Sequence, residues 1–464
     1  MTCINNRSLV RETNLPTVGL HYLFLCAVLI ICFLPVACGD SIHIADINNI
    51  RCEGSECRIF GTLTNDTFLA ADKNWHLKGS VFVGNTDNPT TLTIEAGAVI
   101  KGDATTNSVL VISIGSRIIA EGTSDAPIVF TSSNPPGQRA PGDWGGLVIN
   151  GRARQSLCTV TKNPCIAMGA GLTMEYGGDD DNDSSGSLKY VRIEFAGRYI
   201  STANEIDGLT LHAVGSGTVL DYIQIHKSED DGLAFFGGTV NVKHVLITGA
   251  LDDGIDWTDG WRGKAQFVIA QQNEGRSDNG LEADNSIAFP RNEPLSHPCL
   301  SNITLVGVPD SSNESDIGLL LRGGTAVNLY SSIVTGFNEA CLDVDDTDTF
   351  ELAILKPENF TVKSTVLYCA TLAIEDDQMD DESQAAEDLW SVVDYFRQGE
   401  GNTEVAPLLK DPFSVRAPDF RPADASPVRS GAIMPKDDFF ELTEFIGAMG
   451  DDDWTAGWSA YPQN

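Results

Sequence analysis

Basic residues are scarce: 30 lysines and arginines stand against 65 aspartates and glutamates, a formal charge of −35 over 464 residues. A field of that sign repels nucleic acid and anionic lipid headgroups, which removes DNA and RNA as expected partners. Histidine is sparse as well, at 7 residues, and His212, His226 and His244 fall on different strand registers with no common cluster. No CxxC pair or His-rich spacing of a zinc site occurs. Long apolar runs are missing beyond the N-terminal "LHYLFLCAVLIICFLPVAC", which follows Arg7 and Arg11 and ends at Cys38. That run has the short apolar core of a secretory signal, not the length of a helix built to stay in a bilayer. Helical periodicity is absent from the central stretch, which excludes an α-solenoid there.

What is present is a repeat. "DGLTLHAV" at 207, "DGLAFFGG" at 231, "DGIDWTDG" at 253 and "NGLEADNS" at 279 recur at intervals of 24, 22 and 26 residues, continued by "IGLLLRGG" at 317 and "ACLDVDD" at 340. A second series, "YVRIEFAG" at 190, "YIQIHKSE" at 222, "HVLITGAL" at 244, "QFVIAQQN" at 266 and "NITLVGVP" at 302, runs between them. Short period-2 strands recurring about every 22 residues, with turn residues at fixed places, predict a stacked all-β solenoid. A right-handed parallel β-helix with terminal caps and a short acidic C-terminal helix is the expected fold. The expected organisation is a signal peptide over 1–37, an N-terminal cap region over 38–78, the β-helix over 79–374, and over 375–464 a C-terminal cap with the acidic helix and an extended finishing segment.

The segments "TLTIEAGAVIKGD", "GDWGGLVINGRA", "LKYVRIEFAG", "GGTVNVKHVLITGALDDGIDWTDGWRGKAQFVI" and the terminal "IGAMGDDDWTAGWSAYPQN" resemble a family of bacterial exported proteins, mostly lipoproteins, with a right-handed parallel β-helix of the pectate-lyase type. The resemblance implies export and a β-helix far more than it implies an activity. "LPVACGD" is similar to a lipoprotein box, which makes Cys38 the expected lipid attachment point, on an outer-membrane or cell-surface protein, with cleavage and secretion as the alternative. In an oxidising compartment Cys52 with Cys57 and Cys158 with Cys165 are expected disulfides; Cys299, Cys341 and Cys369 leave one over.

In a solenoid, equivalent residues stack at about 4.8 Å. Asp207, Asp231, Asp253 and Asn279 then form one column at the turn, with Asp230, Asp252 and Asp278 in a second beside it. Turn capping accounts for single aspartates. A doubled column calls for more, and calcium, which takes six to eight hard oxygen ligands, is the expected cofactor. The loop "GGDDDNDSSGS" offers Asp179, Asp181 and Asp183 as a weaker calcium candidate, without the rest of an EF-hand.

Strand alternation sends Leu209, Leu233, Ile255, Leu281, Leu319 and Leu342 inward, with Leu211, Phe235, Trp257, Ala283, Leu321 and Val344. The outward positions run from Thr210, His212, Ala234 and Phe236 through Asp256 and Thr258 to Glu282, Asp284, Leu320, Arg322, Asp343 and Asp345. Two functions fit that face. One is non-catalytic binding of a glycan or other surface component on a calcium-supported rod, with Phe236, Trp261, Asp343 and Asp345 contacting the ligand and Trp144 as a further platform. The other is a polysaccharide lyase or glycoside hydrolase acting on an acidic polysaccharide, with Asp256, Glu282, Asp284 and Arg322 as its acid, base and charge-neutralising groups.

Overall fold

The computed structural model describes residues 49–157, 166–168, 174–201, 204–273, 275–309, 315–376 and 390–464. The expected signal peptide, Cys38 and the Cys158–Cys165 pair lie outside them. Among the described residues no helix is long and apolar enough to cross a membrane.

The chain winds through three parallel sheets, one strand of each per coil. One coil is enough to fix the plan. Val219–His226 bends at Tyr222, so that its first half lies in one sheet and its second half in the next, and Leu233–Phe236 then forms the third. The following coils repeat this with Asn241–Thr248 and Ile255–Thr258, then Lys264–Gln271 and Leu281–Ala283, then Cys299–Val306 and Ile317–Leu321. We call the sheets A, B and C in that order. Parallel pairing starts at Glu56–Leu63 against Asn74–Val83, so coils already form upstream of residue 79. Ile50–Glu53 folds antiparallel onto that first strand, and the Cys52–Cys57 disulfide clips the hairpin. At the far end Cys341 is bonded to Cys369, leaving Cys299 as the free thiol among the described cysteines.

The register on sheet C is the one the alternation predicts: Ala234 pairs with Asp256, Asp256 with Glu282, Glu282 with Leu320 and Leu320 with Asp343. All the residues expected inward are buried, and the core runs unbroken through the coils. Burying branched aliphatics at each rung is the main stabilising term of such a rod.

The bend between sheets A and B was not expected from sequence. It is made by Tyr190, Tyr222, His244, Phe267 and Asn302, all with φ between 47° and 58°. Stacking offsets the cost of this left-handed backbone: ring centroids are 4.4 Å apart for Tyr190 and Tyr222, 4.2 Å for Tyr222 and His244, and 5.0 Å for His244 and Phe267. Trp454 and Trp458 cap this ladder edge-on.

The C-terminal segment returns along sheet B and covers it. Gln266 accepts from the Glu441 N–H, Asn302 donates to the Phe445 and Gly447 carbonyls, and Gln224 exchanges two hydrogen bonds with Ala460. The short helix Val392–Gln398, capped by Ser391, buries Val392 and Phe396 against the last coils. On the outer side of sheet C, Asp284, Leu320 and Asp343 are buried and Asp256, Glu282, Arg322 and Asp345 half-buried, while the B-to-C turns expose Asp252 and Asp278 to solvent.

Candidate functional site in the acidic turns

Each B-to-C turn ends in a glycine, and its role is spatial. None of Gly208, Gly232, Gly254 and Gly280 has a positive φ. A Cβ on Gly232 would lie 2.7 Å from the Gly254 carbonyl oxygen, and one on Gly254 would lie 2.6 Å from that of Gly280. The coils stack glycine on glycine, closer than any side chain permits.

The aspartate before each glycine looks along the axis. Asp231 Oδ1 accepts the Asp253 N–H at 3.0 Å, and Asp253 Oδ1 accepts the Asn279 N–H at 2.6 Å. Asp207 takes a hydrogen bond of 2.8 Å from the Thr210 hydroxyl. One column is therefore explained by capping from coil to coil. The second column is not. Carboxylate oxygens of Asp230, Asp231 and Asp252 lie within 4.8 Å of one another, and so do those of Asp252, Asp253 and Asp278. Asp253 is buried, whereas Asp252 and Asp278 are exposed and open the cluster to solvent.

Burial, ahead of repulsion from neighbouring carboxylates, pushes Asp230 up to about 9 and Asp278 up to about 6. Asp207 rises to about 7 for the same first reason, against the Thr210 hydrogen bond. Asp231, Asp253 and Asp256 are all raised well above the ordinary carboxylate range, again by burial first and then by the adjacent acids. Coupling from Asp256 to Asp207 and Glu282, and from Asp253 to Glu282, joins the turns electrostatically to the face of sheet C.

On that face Arg322 pairs with Glu282 and, at 3.7 Å, with Asp284. The guanidinium is raised further above its ordinary range: burial opposes the charge, and Glu282 and Asp284 outweigh it. Asp284 is nonetheless pushed up to about 7, by burial ahead of its arginine. An arginine held between two carboxylates is a weak proton acceptor. Removing it with Arg322→Met leaves both acids facing each other, and the expected loss of stability is about 1–3 kcal/mol, below the range for a fully buried pair because the arginine side chain is 33% exposed. Thermal unfolding of the variant at neutral pH checks this.

The remaining sequence-predicted residues are distributed as follows. Phe236 is half-buried on the outer face, 4.9 Å from His212, which stacks at 4.5 Å on Tyr176. Asp343 is buried opposite Leu320 on the next rung, and Asp345, two residues further along it, is half-buried. Trp261 is not a sugar platform: it is 1% exposed, stacks at 3.8 Å on Phe235 inside the core, and donates to the Val240 carbonyl. Asp259 and Gly260, at φ 55° and 88°, turn the chain so that the next side chain points inward. Trp144 is likewise buried, donating to the Glu194 carbonyl. Both carboxylate oxygens of Asp181 accept from Arg154, and Asp183 Oδ2 accepts the Arg152 N–H. Sequence reasoning passed over Asp259, which burial pushes up to about 7, and Asp316, which extends the second column; the segments "TDG" at 258 and "SDIG" at 315 carry the same Asp and Gly signal as the turns that were recognised.

A family model for a pectate-lyase-like beta helix domain matches residues 61–459. The chain belongs to that family. No curated protein and no solved structure matches it. A pectate-lyase-like β-helix supports a polysaccharide-related role in general terms, and it sets the acidic edge of sheet C in that context.

Proposed function

We propose that this β-helix is a non-catalytic, calcium-dependent binder of acidic polysaccharide or a similar surface component, acting on an exported protein held by lipid at Cys38. The observation that carries the reading is the second aspartate column, Asp230, Asp252 and Asp278, which backbone capping does not account for. Its donor set consists of hard carboxylate oxygens, the set calcium prefers, and the exposed Asp252 and Asp278 leave a side for a ligand oxygen. Calcium bound there would neutralise the turns and offer coordination to a uronate carboxylate. A chain carrying −35 needs such a counter-charge to approach an anionic glycan. Phe236 adds an apolar face beside the acids.

Catalysis is the second reading, favoured by one observation: Asp256, raised well above the ordinary carboxylate range by burial and then by Glu282 and Asp284, is paired in register with Glu282. An acid and a carboxylate on adjacent rungs are the parts of a glycosidase. The test incubates the mature chain with polygalacturonate and alginate, with calcium or chelator. Binding that requires calcium and is lost in Asp252→Asn/Asp278→Asn, with no new reducing ends or unsaturated products, is expected. Product formation lost in Asp256→Asn would replace the first reading with the second.

A further inference from the structure

Backbone pairing within the sheets joins each coil to the coil before it and the coil after it. In such an array stability is a sum of neighbouring interfaces, and one group of coils can open while the rest stays closed. The returning C-terminal segment adds contacts of another kind. Ser364 donates to the Gly431 carbonyl at 2.6 Å, Ser331 donates to the Ile433 carbonyl and accepts the Ile433 N–H, both at 2.9 Å, and Asn302 donates to the Gly447 carbonyl at 3.0 Å. Further back along the rod, Gln266 and Gln224 each exchange a pair of hydrogen bonds with the backbone of a single residue, Glu441 and Ala460. Lys243 pairs with Glu441 at 2.9 Å, and Arg192 donates to the Trp458 carbonyl. One segment therefore touches every coil from Gly186–Glu194 to Phe360–Lys363.

The anchors suit this task. Gln224, Gln266, Asn302, Ser331 and Ser364 are polar yet fully buried, and the main chain of the segment supplies their partners. Apolar contacts lie between them: Leu246, Ile269 and Val306 are buried against Phe420, Ala448 and Met449, and Ile333 and Val366 against Val428 and Ile446. The sequence separation falls from 236 residues at Gln224 to 67 at Ser364, so the segment runs back against the order of the coils.

We propose that residues 431–464 are a clamp that makes the coils from Arg192 to Ser364 open as one unit and holds the acidic turns at rung spacing with or without a cation. Opening a clamped coil breaks its own anchor or lifts the segment from its neighbours, so a local opening costs nearly as much as a general one. Asp230, Asp252 and Asp278 follow Gln224, Lys243 and Gln266 in the same coils, inside the clamp. Repulsion among their carboxylates works to splay these turns one by one, and the clamp opposes it from the far side of sheet B. This coupling does not rest on what the turns bind.

Hydrogen exchange of the folded mature chain, followed by mass spectrometry through a denaturant series in chelator, tests the clamp. A protease site is inserted between Asp451 and Asp452, both exposed, and cut after folding, so the chain folds with the segment in place. Before the cut, Val219–His226 and Phe360–Lys363 are expected to share one dependence on denaturant. Gln224, His226 and Lys227 are anchored to residues beyond the cut. After it, Val219–His226 is expected to exchange about tenfold faster while Phe360–Lys363 is unchanged. If the inserted site prevents folding, Gln224→Ala/Gln266→Ala, which removes both paired anchors, is expected to separate the two strands in the same direction. Separate dependences in the uncut chain, or one shared dependence that survives the cut or the substitutions, would overturn the proposal.

Discussion

In chelator, the unfolding temperature of the mature chain is expected to fall as pH rises from about 4 to about 9, and calcium is expected to reverse that trend. The sign follows from linkage. Asp278, Asp207 and Asp230 titrate at about 6, about 7 and about 9 in the folded chain, all above the ordinary carboxylate value. Between the unfolded and folded pKa values the native state therefore holds more protons than the unfolded one, and stability decreases with pH. Below about pH 4 the protonated cluster is no burden. Above about 9 the repulsion is fully developed. Calcium competes with those protons, so its affinity grows as pH rises. At a concentration one hundred times its Kd it adds about 2.7 kcal/mol through binding to the native state alone. Asp230→Asn/Asp252→Asn should flatten both effects: two charges leave the column, and the cation loses two ligands. A chelator profile that rises with pH over this window would mean that the carboxylates are compensated by something other than protons or calcium.

Substituting one glycine of the turn column is expected to cost far more than substituting a glycine of positive φ at the surface. Gly254→Ala puts a methyl 2.6 Å from the Gly280 carbonyl oxygen and 2.8 Å from Ala270 Cβ. Both neighbours are core or backbone, so the coils must separate locally. The expected loss is about 3 kcal/mol, at the upper end for overpacking, and Gly254→Val should cost more. Gly54, with φ 66° and nothing within 4 Å of an added Cβ, is the control. Its alanine variant pays only for the backbone conformation, about 1 kcal/mol. Equal denaturant midpoints for Gly254→Ala and wild type would remove close stacking as the reason for the repeated Asp-Gly.

The coil register could be read from sequence because each strand alternates in period 2 and each turn ends in the same dipeptide. That pattern alone puts Asp256 beside Glu282 and Trp257 inside, where both are found. The bend column could not be read. Tyr222, His244 and Phe267 carry no signal for left-handed backbone, and their stacking becomes visible only once the coils are superposed. Trp261 was misplaced for a local reason: the alternation ends at Thr258, and the turn at Asp259 and Gly260 that sends the next ring inward has no signal in the strand pattern. The path of the C-terminal segment along sheet B was out of reach because it joins residues far apart in the chain, and the Gln271 contacts to Pro412 and Ser414 have no local signature. Similarly, the Asp-Gly repeat was legible as a repeat, but its two causes were not. Capping of the next coil by Asp231 and Asp253, and contact between glycines, both depend on the stacking distance.

Proton release on calcium addition is the most direct test of the central claim, that the acidic turns form a cation site. The mature chain in weakly buffered solution at pH 7 would be titrated with calcium chloride in a pH-stat, alongside Asp252→Asn/Asp278→Asn. The account predicts saturable release of protons by the wild type, because Asp230 is pushed up to about 9 and must ionise to bind the cation, and burial also raises its neighbours Asp231 and Asp253. The variant should release fewer protons and require more calcium. A wild type that takes up calcium without releasing protons, or releases none because it takes up none, would contradict it.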